Sequence, residues 1–345
     1  MKPQTSLVLV RPGRSGALDF LRVLGIMAVV VGHIGAWSGP LIRESIYTWH
    51  VPLFFFLSGY LWTEGRGLIA EANKRARTLL IPYAVWLAVA GVWWLSQKQV
   101  VYGGDIRRLV LGGSYIGGTF AAFWFVTALF VAVVVVRAMQ RLPLWVQWVL
   151  SLAALTTATI DSETVAKIPL SAGVGCACIV FVLAGREFKK VRFNIQRPLI
   201  TGLLLLLGCS AVILAGWSTY LDMKQALFGI PAITVVIAIA ICSALVLIAE
   251  AVIPALGARV NAAVSTLASC GFMVVLTHAV VLVELTKLNV PPWLVLVFCL
   301  VGTWIPALLI LRTRLAPYLL GSPRRGPRTA QPHSSVDAPA SSEMK

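Results

Sequence analysis

Apolar stretches of near bilayer-crossing length recur from one end of the 345-residue chain to the other. A helix rises 1.5 Å per residue, so about 20 apolar residues span the hydrocarbon core. Stretches of that kind lie near 18–37, 47–63, 78–96, 121–137, 143–160, 168–184, 198–216, 229–250, 264–286 and 293–311. They predict an all-α, polytopic transmembrane bundle of about ten spans. The stretch at 47–63 is the least regular, because Pro52, Ser58 and Gly59 interrupt a short apolar run. A broken or partly re-entrant helix fits it, if protein or water satisfies its backbone. The connection at 97–120, containing GGDIRRLVLGGSYIGG, reads as a mobile loop with glycine hinges.

Composition agrees with this pattern. The chain is 59% hydrophobic and 12% charged, whereas a soluble domain keeps roughly a quarter of its residues charged. Its mean hydropathy is +0.87. The net charge of +16 does not point to nucleic acid, because Lys and Arg sit in short clusters between apolar runs rather than on one solvated face. With the amino terminus inside, the cytoplasmic segments carry 21 of the 29 Lys and Arg and the opposite segments seven, while Arg22 lies within the first span. The positive-inside rule therefore predicts both termini in the cytoplasm. Expected divisions are a cytoplasmic tail at 1–16, a membrane domain at 17–312 and a basic, disordered cytoplasmic tail at 313–345 that holds His333. The LVLV run at 7–10 is too short for a cleavable signal core. All six cysteines lie inside apolar stretches and lack the convergent spacing of a zinc site, so packing is their expected role and no metal is implied.

Candidate chemistry begins in the first span, ALDFLRVLGIMAVVVGHIG at 17–35. Arg22 and His33 are separated by three helical turns plus about 20°, which puts them on one face with a rise of about 16 Å between them. Asp19 is three residues before Arg22 and close enough to pair with it. One face thus presents Asp19, Arg22 and His33 in a line running from the cytoplasmic edge towards the bilayer midplane. A lone intramembrane histidine is commonly a hydrogen-bonded core residue. Alignment with two further ionisable groups favours a functional line instead.

Other segments add to this. YTWHVPLFFFLSGYLW at 47–62 carries His50 at its outer end and the close-approach pair Ser58–Gly59. His50 reads either as an interface residue or as a polar group at a cavity mouth. Lys74, Arg75 and Arg77 stand at the cytoplasmic entrance of the third span, as a topology anchor and a possible holder of anionic phosphates. FWFVTALF at 123–130 includes Trp124, and STLASCGFMVVLTHAVVL at 265–282 places His278 inside the membrane.

In their order along the chain, LDFLR, the Arg22–His33 spacing, VPLFFFLSGY, the basic residues before LLIPY and FWFVTALF resemble the acyltransferase 3 family of membrane O-acyltransferases. The resemblance covers most of residues 17–312, and Lys74 and Arg77 stand where the family has its basic pair, with Arg75 as an extra charge. It implies transfer of an acyl group, often acetyl, from cytoplasmic acyl-CoA to a hydroxyl of a cell-envelope glycan or glycolipid at the plasma membrane. Acyl-CoA is then a co-substrate, and no bound cofactor is implied. His33 would act as general base or transient acyl carrier, with Arg22 and Asp19 beside it. Lys74, Arg75 and Arg77 would hold CoA phosphates. His50, Ser58, Trp124 and His278 would line the substrate side. No hydrolase-like segment follows 312 in this sequence, which suggests delivery by the membrane domain itself. A secondary transporter or flippase is the competing reading, since buried ionisable groups serve it too, but no internal repeat supports it.

Overall fold

The computed structural model describes residues 16–37 and 39–322. The expectations for residues 1–15 and for the tail around His333 lie outside these. Among the described residues there are no strands, only one isolated bridge between Asp222 and Leu227. The helices in chain order are α1 (Gly16–His33), α2 (Pro40–Tyr47), α3 (His50–Tyr60), α4 (Leu68–Arg75), α5 (Ile81–Ser96), α6 (Gly103–Leu111), α7 (Phe123–Met139) and α8 (Leu144–Ile160). They continue with α9 (Ser162–Lys167), α10 (Ala172–Ala177), α11 (Ile179–Val191), α12 (Pro198–Leu214), α13 (Ile233–Val252), α14 (Gly257–Lys287), α15 (Pro292–Ile310) and α16 (Ala316–Leu319). Several begin on proline, at Pro40, Pro198 and Pro292, where the missing N–H has no intrahelical partner to lose.

Among the described residues, five helical runs are long and apolar enough to cross a membrane: Gly16–His33, Leu68–Ser96, Gly118–Met139, Ile233–Lys287 and Pro292–Ile310. The 55-residue run Ile233–Lys287 divides at Ile253–Leu256, where Pro254 precedes Gly257 at φ +86°, into α13 and α14. α8 and α12 are apolar but shorter. The expected span at 168–184 is instead a bent pair, Pro169–Ala177 and Ile179–Asn194, meeting at 46°. The first expected span ends early, at His33, because the chain turns through Gly35–Trp37 into α2. The glycine-hinged connection at 97–120 holds a helix, α6, whose start is capped by the Asp105 carboxylate accepting from Tyr102 N–H at 3.0 Å and from Lys98 at 2.8 Å.

The irregular stretch at 47–63 is explained by α3. At 11 residues it rises only about 16 Å, and it is enclosed by α1, α7, α11 and α13. Protein on these sides supplies the shelter that a short intramembrane helix needs. α3 and α11 approach closely because Gly59 and Gly185 face each other's backbone: a Cβ at Gly59 would overlap the Val182 carbonyl, and one at Gly185 the Phe56 carbonyl. This small-residue contact is a common way for membrane helices to pack without a water-driven force. α1 lies against α3, α13 and α14, so the helix carrying Asp19, Arg22 and His33 is central. Beyond residue 312, α16 docks on α5, where Trp86 Nε1 donates to the Leu319 carbonyl at 2.9 Å.

Candidate active site

At one end of the bundle, α1, α3, α4 and α7 converge on a polar cavity of about 300 Å³. Arg22, Arg66, Lys74, Arg75 and Arg137 line it with a single carboxylate, Glu71. Glu71 is 1% exposed and accepts from Arg66 at 2.7 Å, Arg75 at 2.8 Å and Arg137 at 3.3 Å. Arg137 is equally buried; its guanidinium lies 3.7 Å over the Trp62 ring and donates to the Thr63 carbonyl at 3.1 Å. These bonds fix the segment linking α3 to α4 and leave the lining strongly cationic. Arg22 donates to Asp19 at 2.6 Å, with Asp19 enclosed and Arg22 34% exposed. The carboxylate thus holds the guanidinium at the cavity wall.

A second cavity, about 180 Å³, shares Arg22, Ser58 and Arg75 with the first. Its other lining is mostly apolar and includes Ile26, Phe54, Phe125 and Val275. α1 and α14 come close here because Gly271 leaves room for the Ile26 side chain. Val275 precedes His278 by three residues on α14, a rise of about 4.5 Å. The space therefore leads from the cationic mouth towards the histidines.

His33 and His278 meet. Their ring centroids are 5.1 Å apart at 55°, and His33 Nδ1 is 3.4 Å from His278 Nε2. His33 Nδ1 also lies 2.7 Å from the Val29 carbonyl, and His278 Nδ1 3.0 Å from that of Val274. A carbonyl only accepts, so each neutral ring carries its proton on Nδ1 and its lone pair on Nε2. His278 is fully buried, whereas His33 keeps accessible surface. Of the two rings, His33 is thus the one that reaches accessible surface, with its lone pair on Nε2. His33 stands at the carboxyl end of α1. The Tyr47 hydroxyl donates to the Gly32 carbonyl at 2.9 Å, satisfying one of the open carbonyls of that helix end. The Tyr47 ring stands edge-on to His50 at 4.8 Å. His50 is thus tied to the same neighbourhood but is buried, with Nδ1–H on the Ile46 carbonyl at 2.7 Å. Above the pair, Lys224 and Asp222 of the 217–232 connection act electrostatically on His33. Lys224 donates to the Ile116 carbonyl at 2.5 Å, and burial lowers its pKa from the usual lysine value.

The sequence-derived residues thus fall into two groups. Asp19, Arg22, Ser58, Lys74 and Arg75 gather at the cationic cavity, and His33, His50 and His278 at the far end of α1. Arg77 is exposed and is not part of the cavity lining. It lies on a π turn, Ala76–Leu80, whose wider winding takes it out of the i,i+3 phase with Lys74 that a regular helix predicts. Trp124 is buried in the main core, while its neighbour Phe125 lines the apolar cavity. Sequence reasoning overlooked Arg66, Glu71 and Arg137. The Glu71–Arg75 spacing of four is a readable signal, whereas Arg137 stands at the end of the apolar stretch 121–137 with no local partner pattern to single it out. Among the described residues, no group of three or more His, Cys, Asp or Glu is placed to hold a metal ion.

Comparison with known proteins bears on this arrangement. Two curated relatives are named nodulation protein NolL. That of Mesorhizobium japonicum is 26% identical over 42% of this chain and 41% of its own length, and that of Sinorhizobium fredii 26% identical over 46% and 45%. The matches thus span less than half the length of these relatives. No solved structure matches the chain. The model of the acyltransferase 3 family, described as an acyltransferase domain, matches residues 15–312, which contain both the cationic cavity and the histidine pair, and the chain belongs to that family.

Proposed function

We propose that this chain is a membrane O-acyltransferase that moves an acyl group, acetyl by preference, from acyl-CoA to a hydroxyl of an envelope glycan or glycolipid. The observation that carries the reading is one cavity system with cations at its mouth and a basic imidazole beyond its apolar end. CoA phosphates would sit among Arg22, Arg66, Lys74 and Arg75, since ionised donors bind phosphate strongly. The pantetheine arm and thioester would follow the Phe54–Phe125–Val275 lining inward. His33 Nε2 takes the proton of the acceptor hydroxyl as its oxygen attacks the thioester carbonyl. The C–S bond then breaks, the ester forms, and the departing thiolate receives the proton from the imidazolium. A thioester is already activated, so a placed base and correct alignment are the main requirements.

This reading uses a ten-span arrangement in the plasma membrane with both termini cytoplasmic, in which the cationic mouth opens to cytoplasmic acyl-CoA. The lopsided Lys and Arg distribution supports that orientation. Inverted membrane vesicles containing the protein and its native envelope lipids provide the test. Radiolabelled acetyl-CoA is expected to leave label covalently on a lipid or glycan, with release of an equal amount of free CoA thiol. Movement of an envelope lipid across the vesicle without covalent change would overturn acyl transfer and favour the flippase.

A further inference from the structure

We infer that His278 is a positioning residue for His33, accepting a hydrogen bond from its Nδ1–H and keeping its Nε2 aimed at the reactants. The inference rests on the acyl-transfer reading with His33 as base. His33 Nδ1–H faces two acceptors, the Val29 carbonyl at 2.7 Å and His278 Nε2 at 3.4 Å. The proton is shared in a three-centre bond, an arrangement common near helix ends. Turning the ring over would lose both acceptors, so together they select one tautomer and one orientation. His278 is itself held: its Nδ1–H is committed to Val274 on α14, and its own carbonyl accepts from Cys299 Sγ of α15 at 3.5 Å. Its lone pair therefore has one direction, towards His33. Full burial keeps it from the substrate. When His33 Nε2 captures a proton, the imidazolium finds a neutral acceptor already in place at Nδ1, and His278 takes up no proton. The other groups bearing on His33 are Lys224 and Asp222 from the 217–232 connection and His50 from α3. None of these is hydrogen-bonded to Nδ1 in place of His278.

Full-length His278→Leu and His278→Gln, in vesicles fed radiolabelled acetyl-CoA, test this. Leu removes the acceptor at similar volume, whereas the Gln Oε1 can accept near the position of Nε2. We expect kcat to fall about 100-fold in His278→Leu, with KM for acetyl-CoA within about twofold, and Gln to recover about tenfold of the loss. A His278→Leu rate within about threefold of the parent overturns the role, as does a Gln variant no better than Leu when both insert and melt like the parent. If Leu does not insert, NMR of histidine-labelled parent protein decides: a proton on His33 Nδ1 with Nε2 bare supports the role, and a proton on Nε2 overturns it. An active His33→Ala overturns the base itself; an inert His33→Ala beside an unaffected His278→Leu overturns only the positioning.

Discussion

At the cationic mouth, Glu71 is buried yet ionically bonded to three guanidinium groups; at the far end of α1, His278 is buried and bonded only to neutral partners. Both solve the cost of enclosing a polar group, but by different means. Opposite charges compensate each other at the mouth, and the surplus of cations is left to meet an anion. At the histidine pair, backbone carbonyls fix the tautomers, and one nitrogen is left to meet a proton. The first arrangement suits recognition of a charged carrier. The second suits chemistry on an uncharged hydroxyl.

This contrast predicts that substitutions at the mouth act on stability or on KM, not on the chemical step. Glu71→Leu should have the largest effect there, because three guanidinium groups lose their shared carboxylate. A loss of about 2 kcal/mol is expected, below the value for a dry pair because the cavity is open to solvent. A lower unfolding midpoint in detergent measures it; an unchanged midpoint would break the comparison. Lys74→Ala should raise KM for acetyl-CoA roughly tenfold, the loss of one charge-assisted contact, with kcat nearly intact in initial-rate measurements. Arg77→Ala should change either constant by less than about twofold, since exposed charges away from a bound ligand contribute little. An effect of Arg77→Ala equal to that of Lys74→Ala would place the phosphates outside the described lining.

Much of this was legible in the sequence because it is local. Asp19, Arg22 and His33 share a helix, so periodicity alone aligned them, and the hydropathy pattern announced a membrane-embedded helical protein. The His33–His278 contact was not legible, since 245 residues separate the rings and no local period links α1 to α14. Nor was the burial of Arg137, which ends the apolar stretch 121–137 and whose guanidinium stacks on Trp62, 75 residues earlier in the chain. Arg77 falls outside the cavity lining for a third reason: a π turn of five residues changes helical phase without any sequence mark that simple periodicity detects. Breaks were likewise hard to place where Leu170 and Ser171 adopt positive φ, a conformation that nothing in their side chains announces.

The central claim is that His33 Nε2 removes the acceptor proton, and the most direct test is transfer by His33→Ala against the parent in matched vesicles. With equal protein inserted and equal acetyl-CoA bound, the account predicts that label incorporation and thiol release both fall at least about 1,000-fold. Incorporation at the parent's rate would contradict it.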